Sequence, residues 1–355
     1  MFLFRSLHNV SVSDNAVVRK EIPNDFGTFM NEYIRFARQN DTTKRYSVHD
    51  MQTQVVNCIA NIVTASLKPD CDSSDVAEAV QALADSIADK LLRAERQAQE
   101  KIEQMRTYIK KGSLVQSLIS TETDGEYLFI VAKVEHSEWF HGESLQKNLG
   151  FPGDKKNVWK SAVFSISAGD PLLFNSIRVY VDNNAKYWPM QFLELDEEQT
   201  NDYNTRIAFD SIQAELRRHV RPVSERDYYI LRNTLIQTMK TPQQINYPDL
   251  VQKLVGNYVP EAPNLNLDKV RSSLSDLPEK KRFDRQFVSV PERIVERRHN
   301  FFPLTQGVDL SIKGAVEDFK ETIIAEENVV GTRYIRVLCS DSKTYEIFKP
   351  KVTSV

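Results

Sequence analysis

Apolar residues recur at spacings of three and four between Pro23 and Gln39, where Phe26, Phe29, Met30, Tyr33, Ile34 and Ala37 predict one face of a helix. A second helix is predicted from about Val48 to Leu67, with Met51, Val55, Ile59, Ile62 and Val63 inward and Pro69 as its stop. The longest stripe is Val76, Val80, Leu83, Ile87, Leu91, Ala94, Ala98, Ile102, Met105 and Ile109. Its steps repeat every eleven residues, about 3.67 per turn. They predict a helix over 75–111, started by Asp75 with Glu78 three residues on and stopped by Gly112. Its length would be roughly 55 Å. Such a stripe has to be covered. Two readings stay open: a dimer or partner seam through Leu83, Ile87, Leu91 and Ile102, or a long helix packed along its own domain.

After Gly112 the period becomes two. Ser113–Ser120 and Glu126–Glu135 predict strands joined by a hairpin loop that ends at Gly125. The second strand is apolar on both faces, through Tyr127, Phe129 and Val131 against Leu128, Ile130 and Val134, so it belongs inside a sheet. Ala162, Phe164 and Ile166, then Ile177, Val179 and Val181, predict two more half-buried strands. The stretch from Phe140 to Asn157 predicts a loop, and Lys155, Lys156 and Lys160 make a small basic spot near it. Helices follow over Asn201–Val220, Ser224–Met239 with Ser224 as N-cap, and Tyr247–Val255. Asn257–Leu267, with Pro260 and Pro263, reads as a linker. Beyond it come a strand at Val308–Ile312, a helix within Ala315–Ile324, a strand through Ile335, Val337 and Cys339, and a last short strand at Tyr345 and Ile347. The expected class is α+β, in four regions: helical over 1–112, an antiparallel sheet over 113–200, helical over 201–278, and a basic segment with a small strand-rich module over 279–355.

Charge narrows the partners. Among 355 residues, 46 Lys and Arg stand against 49 Asp and Glu, a net −3, which excludes a uniformly basic nucleic-acid coat. Phosphate binding would need a local patch. The stretch Glu279–Arg298 offers one through Lys280, Lys281, Arg282, Arg285, Arg293, Arg297 and Arg298, and Arg217, Arg218 and Arg221 offer a second. The alternative for the first stretch is a solvated linker. Phe283 and Phe287 between its charges read as core anchors rather than base-stacking residues. The longest wholly apolar runs are short, such as Leu128–Ala132, so no bilayer span is expected. The opening Met1-Phe2-Leu3-Phe4-Arg5 is charged too soon for a secretory signal. Cys58, Cys71 and Cys339 have neither disulfide-framework nor zinc-ribbon spacing, which fits a reducing cytoplasm.

Catalytic signatures are scarce. Neither a phosphate-binding glycine loop nor a nucleophile elbow is present in the sequence. His136, Glu138 and His141 form H-x-E-x-x-H, which lacks an evident fourth metal ligand and also reads as a polar loop. Glu194, Asp196, Glu197 and Glu198 read as a solvated approach to a helix start. The expectation is no cofactor and no catalytic residues, with a metal-dependent nuclease built from dispersed carboxylates left open.

Phe283-Asp284-Arg285-Gln286-Phe287, then Val290-Pro291, then Leu304-Thr305, Gly307-Val308, Leu310 and Ile312, resemble the bacterial nucleoid-associated protein family of the NdpA/YejK type. The late strand Tyr334-Ile335-Arg336-Val337 and the order of parts suit it too, whereas the acidic segment Tyr187–Ile207 departs from it. The resemblance implies a DNA-binding protein of the cytoplasm and nucleoid that contacts duplex backbone with low sequence specificity. An interaction subunit of a DNA-related or anti-phage defence system is the competing expectation.

Overall fold

Alternation of apolar and polar positions builds an eight-stranded antiparallel sheet. The structure is a computed structural model that describes residues 1–39, 43–68, 73–103, 108–135, 137–140, 147–150, 158–181, 185–294 and 300–349. The fold is α+β, in two units: residues 1–200 with 284–287, and residues 201–283 with 288–355.

The first unit runs β1 (Phe2–Ser11), β2 (Ala16–Lys20), α1 (Phe26–Gln39), β3 (Lys44–Val48), α2 (Gln54–Ser66), α3 (Ser74–Ile102), β4 (Gly112–Ser120), β5 (Glu126–Glu135), β6 (Ser137–Phe140), β7 (Lys147–Gly150), β8 (Val158–Ser167), β9 (Leu173–Val181) and β10 (Leu195–Glu197). Sheet order is β10-β3-β9-β8-β5-β4-β1-β2. The doubly apolar β5 lies between β4 and β8, where both faces are covered. Phe129, Val131, Ala162, Phe164 and Val179 turn to one face and pack with α2 and α3. Leu7, Val115, Ile119 and Ile130 turn to the other and pack with Phe26, Met30 and Tyr33 of α1. Gly125 closes the β4–β5 turn at φ +75°, a conformation that costs glycine nothing.

Several expectations are corrected. The predicted helix 48–67 starts at Gln54, because residues 50–53 form a local turn in which the Asp50 side chain accepts from the Gln52 amide and the Thr53 hydroxyl donates to the Asp50 carbonyl. Met51 is therefore exposed and β3 precedes it. The predicted helix 75–111 is Ser74–Ile102, about 44 Å long by its rise. Its N-cap is Ser73, and Ile109 lies beyond the helix, with its amide donating to Gln99 Oε1 at 2.7 Å. The stripe is covered inside the unit: Ile87 and Leu91 have no exposed surface, and Leu83 packs against the same core. Part of the predicted loop 140–157 is the β6–β7 ladder, and Lys155 and Lys156 lie outside the described residues. Lys160 is buried, its ammonium 5.7 Å from the Tyr187 ring centre, and is no surface spot.

In the acidic segment Glu194–Glu198, Asp196 and Glu198 are exposed as expected, whereas Glu194 and Glu197 are engaged. Lys90 Nζ and the Gln54 amide donate to Glu194, Lys44 pairs with Glu197 at 2.7 Å, and β10 closes the sheet edge on β3. The deepest polar group in this core is an ion pair. Lys133 Nζ lies 2.6 Å from Glu95 Oε1, with both side chains fully buried. Lys133 also donates to the Lys110 carbonyl, and the Tyr187 hydroxyl donates to Glu95.

The second unit begins with α4 (Asn201–His219), α5 (Glu225–Met239), β11 (Gln244–Asn246), α6 (Tyr247–Val251), α7 (Leu267–Ser275) and α8 (Leu277–Lys281). β12 (Gln286–Val288) follows, with a 3-10 turn at Pro291–Ile294. Ser224 caps α5 by accepting from the Asp227 amide, as the sequence predicts. The buried Asp227 carboxylate then clamps the linker, accepting from the Tyr258 hydroxyl and the amides of Glu261 and Ala262. Burial pushes that carboxyl up, and the hydrogen bonds, Tyr258 first, outweigh it and hold it below the usual range.

The chain ends in β13 (Asn300–Thr305), β14 (Val308–Ile312), α9 (Phe319–Thr322), β15 (Ile323–Glu327), β16 (Arg333–Val337) and α10 (Ser342–Phe348). The predicted strand at Tyr345 and Ile347 is helix α10, capped by Asp341, whose carboxylate accepts from the Thr344 amide. The helix expected within Ala315–Ile324 shrinks to Phe319–Thr322. Between residues 300 and 349 only Ile312 is buried.

Candidate nucleic-acid interface

Charge is divided unevenly between the units. The first holds 23 Lys and Arg against 29 Asp and Glu; the second holds 23 against 20. The excess of cations therefore belongs to the second unit.

Its most concentrated part is the α4–α5 corner. Arg217, Arg218 and His219 occupy the last turn of α4, where the helix dipole favours cations. Arg217 and Arg218 are exposed and form no ion pair among the described residues. Arg221, in the following turn, pairs with Glu225 at 2.8 Å and lies 5.8 Å from the Tyr228 ring centre. Arg232 of α5 is buried. Burial lowers its pKa from the ordinary arginine value, Tyr228 and Tyr229 counter this, and the nearby Arg217 lowers it further. A guanidinium stays charged at neutral pH even so.

The other sequence-predicted cations are spread out. α8 packs along α4. Lys280 at its end pairs with Asp276 at 3.0 Å, while Lys281 and Arg282 are exposed and form no ion pair among the described residues. Arg282 caps α8 at φ +56°, and the Phe283 amide behind it closes on the Pro278 carbonyl. Arg293 pairs with Asp202. Arg297 and Arg298 lie outside the described residues.

The segment Asp284–Phe287 is not part of that surface. Asp284 accepts from the Arg45 amide at 3.2 Å and from Arg45 Nε at 3.0 Å, and Gln286 exchanges two hydrogen bonds with the Val181 backbone. Arg285 is half-buried and already engaged with a partner. Phe283 and Phe287 are core residues, and Phe283 packs edge-on to Tyr247 in the second unit. The run Phe283–Phe287 that carries the family resemblance thus does structural work.

Two arrangements that sequence reading missed carry chemistry-bearing residues. Ser6, His8 and Asp85 are joined by contacts of 3.4 Å (Ser6 Oγ to His8 Nδ1) and 2.7 Å (His8 Nε2 to Asp85). Ser6 and His8 are buried beneath α3 and Asp85 is also held by Arg19, so no carbonyl can reach the serine. A cavity of about 430 Å³ opens on the α1 side of the sheet, floored by Leu128, Ile130 and Val163 and edged by Tyr33, Ser161 and Arg178. Burial pushes the Tyr33 hydroxyl up to about 12, with Ser161 countering, so it is a neutral donor and no nucleophile. Among the described residues no three His, Cys, Asp or Glu side chains gather as a metal site; His136 and His141 lie outside them. No described helix is long and apolar enough to cross a membrane.

Comparison with protein-family models and with curated proteins returns no match.

Proposed function

We propose that this protein binds double-stranded DNA through the phosphate backbone, as the nucleoid-associated family it resembles in sequence is understood to do, and acts at the nucleoid. The observation that carries the reading is the pair of exposed arginines, Arg217 and Arg218, in the last turn of α4 on the cation-rich second unit. Arginine grips phosphate with two parallel donors at once. Lys281 and Arg282, on α8, which packs along α4, add two further exposed cations to the unit. The exposed cations lie at helix ends rather than along one helix face that a major groove would admit, which favours backbone contact over base reading. An interaction subunit is the second reading, favoured by the exposed apolar segment that ends the described chain.

A gel shift with unrelated duplexes tests the first reading. The variant Arg217→Ala, Arg218→Ala, Lys281→Ala, Arg282→Ala should weaken binding to every duplex alike, by about tenfold or more if two or three phosphate contacts are lost. A folded variant with wild-type affinity would overturn it.

A further inference from the structure

Residues 325–349 form a hairpin strand pair and a helix, and every one of them is exposed. Twelve of the large apolar residues exposed among the described residues lie between Phe301 and Phe348, among them Leu338, Tyr345, Ile347 and Phe348. A two-stranded ribbon is at best marginally stable alone in water. Exposed apolar surface on this scale marks a contact site. At on the order of 100 Å² for each such side chain, against the 150–250 Å² a buried aromatic covers, the segment exceeds the roughly 800 Å² per partner of a standard interface.

The free edge of β16 indicates what covers it. The Leu338 amide bonds the Thr322 carbonyl at 2.9 Å, and the Asn328 amide bonds the Thr332 carbonyl at 3.0 Å. Antiparallel pairs alternate, so Tyr334 and Arg336 direct their backbone groups to β15, while Arg333, Ile335 and Val337 direct theirs outward. The sheet has two strands, and all five residues of β16 are exposed, so no strand among the described residues meets this edge. It carries no proline, bulge or lysine, and its two arginines are each paired with a glutamate of β15.

We infer that β16 is a self-association strand that pairs antiparallel with β16 of a second copy of this chain, about a two-fold axis at Ile335. The register is self-complementary. Ile335 meets Ile335, Arg333 meets Val337, and Tyr334 meets Arg336, a pairing in which a guanidinium can lie on a ring. No like charges face each other. Arg333 and Arg336 are already neutralised by Glu327 and Glu326 in their own hairpin. Residues 288–355 hold ten basic and ten acidic side chains, so two copies meet without net repulsion. The four-stranded sheet so formed joins the apolar faces of Ile323, Ala325, Ile335 and Val337 from both copies. An isologous dimer is the commonest closed assembly. This inference stands independently of DNA binding.

Sedimentation of the full chain across micromolar concentrations should show a reversible dimer. Ile335→Pro removes one outward amide and no β15 bond, and should weaken dimerisation at least tenfold while leaving the far-ultraviolet spectrum unchanged. In a Cys339→Ser background, Ile335→Cys should cross-link to a covalent dimer under mild oxidation, and the Cys339→Ser parent should not. A wild-type chain that stays monomeric would overturn the inference. So would a dimer indifferent to Ile335→Pro with no cross-link at 335, which would put the interface elsewhere.

Discussion

The sheet of the first unit and the last fifty described residues of the second treat apolar side chains in opposite ways. Ile87, Leu91, Phe129 and Phe164 are wholly enclosed by α2, α3 and the sheet, and even a charged pair, Glu95 and Lys133, is sealed among them. Leu338, Ile347 and Phe348 are open to water by 72%, 75% and 79%. An apolar pattern in sequence therefore announces burial without saying in what. The α3 stripe looks like a seam between chains and is filled within its own; the β16 edge, much shorter, meets no further strand among the described residues.

The comparison breaks most sharply at the buried pair. Glu95→Ala leaves the Lys133 ammonium uncompensated in the core, and should cost about 3–5 kcal/mol in unfolding followed by tryptophan fluorescence. Glu95→Leu with Lys133→Met should recover most of that loss, because both charges then go together. Equal destabilisation by the single and double changes would contradict a paired burial.

Next comes the contrast between stripe and arm. Leu91→Ala opens a cavity beneath α3 and should cost about 2–5 kcal/mol. Leu338→Ala should change unfolding of the dilute chain by less than about 0.5 kcal/mol, since an exposed side chain has little to lose. Similar losses at both sites would erase the distinction.

The smallest effect is set by pH. Burial holds the His8 imidazole below its ordinary 6.5; Asp85 and Asp89 counter this, and Arg19 adds to it. The unfolded chain thus takes up a proton at higher pH than the native one. Stability from this site is present above pH 6.5 and declines as pH falls from 6.5 toward the lowered native value. Asp85, held below its ordinary 3.8, contributes a separate loss at more acid pH, below that value. Urea midpoints should fall just below pH 6.5, and His8→Asn should flatten that fall. A midpoint that rises on acidification through this window contradicts the sign.

How much was legible in the sequence follows from the same contrast. The β4–β5 hairpin was readable because its alternation is strict and Gly125 marks the turn. β1 was not, because Ser6 and His8 occupy inward positions where the pattern expects apolar residues, and they are satisfied there by contacts from α3. In α10, Tyr345 and Ile347 alternate like a strand, and only the Asp341 cap betrays a helix. At the candidate interface, the arginines of α4 were readable as charge. The partial burial of Arg285 and the burial of Arg232 depend on tertiary neighbours that no local pattern encodes.

The most direct test of the proposed function is the salt dependence of duplex affinity for the full wild-type chain, measured by fluorescence anisotropy. Backbone binding through Arg217, Arg218, Lys281 and Arg282 predicts a linear fall of log K with log salt, at a slope of about −0.9 for each phosphate neutralised, shared by unrelated duplexes. Absence of binding at low salt, or affinity that does not change with salt, would contradict it.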